Sequence, residues 1–310
     1  MEAAVLVTGA AGLVGHALTR TLRASGRHVI AVDQVAGDID GVQVLAGDVC
    51  DVHRLHELAG AAGTLDAVVH CAAHSGPMVA RDRSASMVAV NVVGTANLRE
   101  VARIHGARRF VFASSATVFG STGPGPINEQ HLPAPASLYP ASKLASEHLV
   151  DAYAHQYGLD GVSLRLSWVY GPRRATDCVI RELLLAALQG RTFQLPYGAD
   201  FHRQFVHLDD VVRALTAAVD RPEPFQRRVL TITGGDYPTL PQVAAAVADV
   251  LPGATAQFGC GPDPLDPPQG RFDLSAAAAE LGYAPTVPLS EGIARYATWL
   301  ATSAGAVTVR

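Results

Sequence analysis

Charge is scarce in this chain, and neither sign prevails. Only 17% of its 310 residues are Asp, Glu, Lys or Arg, below the roughly 25% usual for soluble domains. Lys and Arg number 24 and Asp and Glu 28, for a formal net charge of -4. No broad basic field is available, which argues against nucleic acid as a partner. Hydrophobic residues reach 49%, too many for a chain that is mainly disordered. Yet no apolar run approaches the ~20 residues of a membrane-spanning helix. Cysteine is also sparse: Cys50, Cys71, Cys178 and Cys260 are scattered without metal-site pairing. His70, His74 and His131 likewise show no ligand spacing, so no metal is expected. The first residues lack a basic segment and a small-residue cleavage site, and enter a strand-like run at Ala3. These absences predict a reduced, cytoplasmic protein with no membrane partner. The length corresponds to about two structural units, and no internal repeat is visible.

What is present is alternation. Short apolar runs at Ala4–Thr8, His28–Asp33, Val42–Gly47, Ala67–Cys71, Phe110–Ser114 and Val162–Ser167 read as strands. Helical patterns at Leu13–Ala24, Val52–Ala59, Ser84–His105 and Tyr139–Tyr157 lie between them. Continuous Val/Ile/Leu strands separated by helices predict an α/β fold with a doubly wound parallel (Rossmann) sheet. After Tyr170-Gly171-Pro172 the texture changes. Helices are expected at Cys178–Gln189, Leu240–Val250, Leu274–Leu281 and Ser290–Leu300. A loop is expected around Pro196 to Asp200, and another over Gly259–Gly270. Strands are expected at Gln204–Leu208 and Arg228–Thr233, with Asp209 and Asp210 capping the helix that runs to Val219. We therefore divide the chain into residues 1–172, to which 204–235 return, and a smaller interleaved substrate-binding unit of 173–203 and 236–310.

The first strand runs directly into Thr8-Gly9-Ala10-Ala11-Gly12-Leu13-Val14-Gly15 and then a helix. Gly9 permits the tight turn, Gly12 lets backbone approach a pyrophosphate, and Gly15 lets helix pack on strand. Ala11, Leu13 and Val14 complete the turn, and the helix start offers free amides to phosphate. This context predicts a dinucleotide site. Asp33 ends the second strand about 20 residues further on, where a carboxylate accepts ribose hydroxyls and repels a 2′-phosphate. No Arg follows it, since Gln34 and Val35 come next, so NAD is favoured over NADP. Asp48 and Val49 either sit under the adenine, or Asp48 caps the helix that follows.

Tyr139 and Lys143 stand four residues apart and share a helix face. An ammonium near a phenol lowers its pKa toward working pH. Ser115, at the end of the fifth strand, is placed to hydrogen-bond a reacting oxygen.

With these residues the chain resembles the extended short-chain dehydrogenase/reductase superfamily, and within it the NAD-dependent epimerase/dehydratase family typified by nucleotide-sugar 4-epimerases. Further marks are His70-Cys71-Ala72-Ala73, Asn91-Val92-Val93-Gly94-Thr95, Ser114-Ser115-Ala116-Thr117, Leu164-Arg165 with Val169-Tyr170-Gly171-Pro172, Arg203-Gln204-Phe205-Val206 with His207-Leu208-Asp209-Asp210, and Arg271-Phe272-Asp273-Leu274-Ser275. The resemblance implies that Tyr139 is the general acid/base and that Lys143 binds the nicotinamide ribose and tunes Tyr139. It implies that Ser115 hydrogen-bonds the sugar. Ala72, Ala73, Asn91 and Ser114 would form the cofactor cleft. By position, His74 and Ser75 follow the fourth strand and are expected to touch substrate. Arg203 and Arg271 would hold a diphosphate, or else form ion pairs. It also implies a homodimer built on the Ser84–His105 and Tyr139–Tyr157 helices, where simple packing on the sheet is the alternative.

Two departures bear on activity. Relatives that eliminate water carry an acidic pair after the catalytic Thr, whereas Ala116 and Thr117 follow Ser115 here, so dehydration is not expected. Trp168 occupies a position where an Asn often contacts the diphosphate region. The expected activity is an NAD-dependent epimerase of a sugar, as a nucleotide-sugar, acting through a keto intermediate. The alternatives are an NAD-dependent dehydrogenase of a sugar or sugar acid, and a non-catalytic NAD-sensing protein.

Overall fold

The computed structural model describes residues 3–61, 63–76, 78–80 and 82–303. The chain opens with β1 (Ala4–Thr8), α1 (Leu13–Ala24), β2 (Val29–Asp33), β3 (Gly37–Ile39), β4 (Val42–Ala46), α2 (Val52–Ala61) and β5 (Leu65–His70). It continues through α3 (Ser84–Val88), α4 (Gly94–Ile104), β6 (Arg109–Ser115), α5 (Leu138–Tyr157), β7 (Asp160–Leu166) and β8 (Trp168–Tyr170). Next come α6 (Val179–Leu188), β9 (Phe193–Gly198), β10 (Phe205–His207), α7 (Leu208–Asp220) and β11 (Val229–Ile232). The remaining elements are α8 (Leu240–Val250), β12 (Ala256–Gly259), α9 (Ser275–Leu281) and α10 (Leu289–Ser303).

Eight strands form one sheet in the order β11-β7-β6-β5-β1-β2-β4-β3. Every pairing is parallel except the β3–β4 hairpin at the edge. Alternate residues of a strand face opposite sides, so one strand feeds two cores. Val5 and Val7 of β1 join a core with Leu18 and Leu22 of α1 and Val211 and Leu215 of α7. Ala4 and Leu6 join a second core with Leu55 of α2, Leu98 of α4 and Val150 of α5. Burial on both faces is why these strands read as unbroken apolar runs.

β8 and β10 form a two-stranded parallel ribbon, with Val206 opposite Val169 and His207 opposite Tyr170. Val169 and Val206 pack into the main core, whereas Tyr170 and Phe205 pack into a third core with α6, α8 and α10. The ribbon is therefore common to both units. β9 and β12 make a second small parallel sheet on the smaller unit.

Three local expectations change. The Ser84–His105 pattern is not one helix, because a π-helical turn, Ala89–Val93, separates α3 from α4. The hydroxyls of Thr95 and Ser146 donate to the Asn91 carbonyl at 2.6 and 2.8 Å, partnering the backbone group at this irregular turn. Pro196 does not open a loop but lies within β9, where a two-stranded sheet tolerates a missing amide. The cap of α7 is His207, whose Nδ1 accepts the Asp209 amide at 3.2 Å. Asp210 instead accepts the amides of Thr286 and Val287 at 3.0 and 3.1 Å, tying the tail to α7.

Candidate active site

A cavity of about 610 Å³ opens along the ends of β1, β2, β5 and β6 and reaches the smaller unit. The glycine turn forms its floor. Gly9 adopts φ +69°, and a Cβ there would lie 2.6 Å from the Ala72 amide nitrogen. A Cβ on Gly15 would lie 2.1 Å from the Gly9 carbonyl oxygen. The turn therefore closes only with glycine. Gly12 is the N-cap of α1 and brings no side chain to the free amides that follow, so these amides and the positive helix end face the cavity. Asp33 Oδ2 accepts the Ala11 amide at 2.9 Å and Oδ1 the Gln34 amide at 2.8 Å. Those bonds fix the carboxylate at the cavity edge. Asp48 lines the same end, accepting the Cys50 amide at 2.9 Å. The α2 cap is Asp51, whose carboxylate accepts the Arg54 amide at 3.0 Å, so Asp48 is not that cap. Ala11, Leu13, Val14, Val49, Ala72, Ala73 and Ser114 also line the cavity. An anion-binding helix start beside a ribose-accepting carboxylate fits a dinucleotide without a 2′-phosphate.

Asn91 is not at the cavity surface. Its Oδ1 accepts the His74 amide at 2.8 Å, and its Nδ2 donates to Ser142 Oγ at 2.9 Å. It thus clamps the segment after β5 to α5 and positions the cleft rather than lining it. His74 does line the cavity, held by a 2.9 Å bond between Nε2 and Ser86 Oγ. His70 lies below, with its ring nitrogens bonded to the hydroxyls of Thr8 and Thr95 at 2.8 and 3.1 Å. Burial pushes its pKa down to about 3, so it is a neutral core imidazole. Among the described residues no cluster suits a metal.

Tyr139 and Lys143 stand on the buried face of α5, 8% and 3% exposed. Burial pushes the Tyr139 phenol up. The nearby polar groups of Ser115, Ser75 and the Gly76 backbone, and the charge of Arg174, act in the opposite direction. Ser115 Oγ also lies 2.8 Å from Thr117 Oγ1. Lys143 is the only lysine in the chain. Its Nζ donates to the Ala113 carbonyl at 2.8 Å and lies 4.7 Å from the centre of the Phe112 ring. Burial lowers its pKa to about 8, with the Glu147 carboxylate opposing that shift. Arg174, a cavity residue that the sequence did not single out, adds a positive charge that favours the phenolate.

The two expected phosphate ligands are placed differently. Arg203 lines the cavity but is buried in ion pairs with Asp263 and Asp266. Arg271 is exposed, donates to the Gly235 carbonyl at 2.8 Å and does not line the cavity. A diphosphate role for Arg271 is not supported, because its guanidinium is turned to the surface. Trp168 does line the cavity, and its Nε1 donates to Asp266 Oδ2 at 2.8 Å. Asp266 was missed because a lone carboxylate in the Pro/Gly-rich stretch carries no local signal.

A sheet-end cavity with a phosphate turn, a ribose carboxylate and a buried Ser/Tyr/Lys set is the dinucleotide site of an oxidoreductase-type fold. Residues 5–232 match the NAD dependent epimerase/dehydratase family. The chain belongs to this family and is an NAD-dependent enzyme of the extended short-chain dehydrogenase/reductase type. It is 30% identical to UDP-glucuronate 4-epimerase 4 of Arabidopsis thaliana, over 95% of this chain and 74% of that protein. The UDP-glucose 4-epimerase of Thermotoga maritima, solved with UDP-glucose, superposes with a TM-score of 0.88 at 25% identity, covering 97% of this chain and 99% of the other. The UDP-glucuronic acid 4-epimerase of Bacillus cereus, solved with UDP-glucuronic acid and NAD, superposes with a TM-score of 0.86 at 26% identity, covering 96% and 99%.

Proposed function

We propose that the protein is an NAD-dependent 4-epimerase of a nucleotide-sugar. The observation that carries this is the opening of Ser115, Tyr139 and the glycine turn onto one cavity, with no carboxylate following Ser115 to drive water loss. The glycine turn, Asp33 and Lys143 would hold NAD, which would supply reversible hydride transfer at the sugar carbon, with inversion following when the keto sugar turns and is reduced on its other face. Tyr139 takes the hydroxyl proton as the carbonyl forms and returns it as the carbonyl is reduced. Ser115 donates to the same oxygen, and burial keeps water from competing for the proton. The names of the similar proteins support both the 4-position and the nucleotide.

The test is incubation of the purified protein with UDP-glucose and UDP-glucuronic acid, following product stereochemistry and NADH absorbance together. Appearance of the 4-epimer without net NADH is expected. Stoichiometric NADH with an oxidised product would instead make it a dehydrogenase, and neither product would reject catalysis on these sugars.

We also propose a cytoplasmic homodimer. Four cysteines without disulfides support a reducing compartment. Among the described residues, no helix is long and apolar enough to cross a membrane. Val88, Val93 and Tyr157 are exposed on α3, the π turn and α5, where a second copy would cover them. Sedimentation of twice the chain mass, reduced to a single mass by Val93→Glu, is the expected result.

A further inference from the structure

Arg203 is the one guanidinium of the two expected phosphate ligands that reaches the cavity, and it is already occupied. Its side chain is 3% exposed. Its Nε donates to Asp266 Oδ2 at 3.0 Å, and a terminal nitrogen donates to Asp263. One face of the guanidinium lies 4.4 Å from the centre of the Trp168 ring. Asp263 is not a chance contact. Its Oδ1 accepts the amides of Leu265 and Asp266 at 2.8 and 3.3 Å, so the turn itself aims the carboxylate at Arg203. Asp266 is held by Trp168 as well as by Arg203, and its Oδ1 is buried without a partner. Two carboxylates therefore face one guanidinium where a diphosphate would need a net positive charge. Asp266 occupies Nε, and Asp263 occupies a terminal nitrogen, which an incoming phosphate would need for paired hydrogen bonds.

We propose that Asp263 is a specificity-determining residue that holds Arg203 away from the substrate's diphosphate, so that binding requires the guanidinium to exchange Asp263 for phosphate. The proposal rests on the nucleotide-sugar reading above. It assigns a weak diphosphate subsite to this chain and names the residue that weakens it.

The experiment compares UDP and uridine binding by titration calorimetry in the wild type, Asp263→Asn, and Asp263→Asn combined with Arg203→Ala. Asn keeps the acceptor for the Leu265 and Asp266 amides and removes only the charge. Asp263→Ser, which keeps a short acceptor, serves if the Asn variant does not fold. Asp263→Asn is expected to bind UDP at least tenfold more tightly, with uridine affinity unchanged and the gain lost in the double variant. The KM for a turned-over nucleotide-sugar should fall in parallel while kcat holds. Unchanged or weaker UDP binding overturns the proposal, as does an equal gain for uridine, which would indicate general loosening. If the wild type and both charge-removed variants bind NAD but ignore millimolar UDP, the nucleotide-sugar reading fails and the proposal with it.

Discussion

Lys143 binds a proton less tightly than an exposed lysine because its amino group is buried beneath the cavity. Its ammonium form is present below a pKa of about 8 and is lost as pH rises through that value. If that charge holds the cofactor, NAD affinity should be flat at pH 6.5 and fall above pH 8, by up to tenfold per unit. Lys143→Met should be weak throughout and pH-independent, as titration calorimetry at several pH values would show. Because no other lysine exists, amine acylation should add one NAD-protected group beyond the chain terminus, countable by mass. Tyr139→Phe removes only a hydroxyl and should lower turnover by about 10²–10⁴-fold with NAD binding retained; turnover near wild type would remove Tyr139 from the acid/base role. The placement of the glycine turn, Asp33, Tyr139 and Lys143 at one cavity was legible because each stands at a recognisable spacing along one short stretch. Arg203 was legible only as a cation. Its partners lie 60 and 63 residues away, and spacing says nothing about contacts at that range.

Elements read well wherever periodicity was strong, and α1 and α8 have the bounds their apolar spacing predicts. The π turn was hidden, because a widened turn keeps an apolar stripe while shifting it by about one residue. That shift carries Asn91 to the contact between α5 and the segment after β5. Asn91→Ala should leave the His74 amide and Ser142 hydroxyl without their partner and destabilise the fold by about 1–3 kcal/mol. Denaturant unfolding measures the loss, and NAD affinity should drop with it since the cleft wall is no longer clamped. An unchanged midpoint would mean that the π turn holds without this side chain. The buried Glu147–Arg165 pair, joined at 2.7 Å, ties α5 to β7 one helical turn beyond Lys143. The sequence showed Arg165 as part of a motif but not its partner. Short strands such as β3 and β9 also escaped notice, because three to six residues at an edge leave little alternation to read.

At the scale of the molecule, the parallel order of the main sheet was readable from strand–helix alternation, since both faces of each inner strand are apolar. What composition could not reveal was where the two units share material. The β8–β10 ribbon gives Val169 and Val206 to one core and Tyr170 and Phe205 to the other. Neither core can melt without stripping one side of the same six residues. Heat should therefore unfold the chain in a single calorimetric transition, although the ribbon joins two separate cores. NAD at about 100 times its dissociation constant adds about 2.7 kcal/mol to the native state, and that increment should move the entire peak. Two peaks, with only the earlier or the later one responding to NAD, would show that the ribbon parts before either core does. If one peak moves, heat resistance gained at the glycine turn is delivered to the core of α6, α8 and α10 as well, and cofactor supply guards the whole chain against thermal loss.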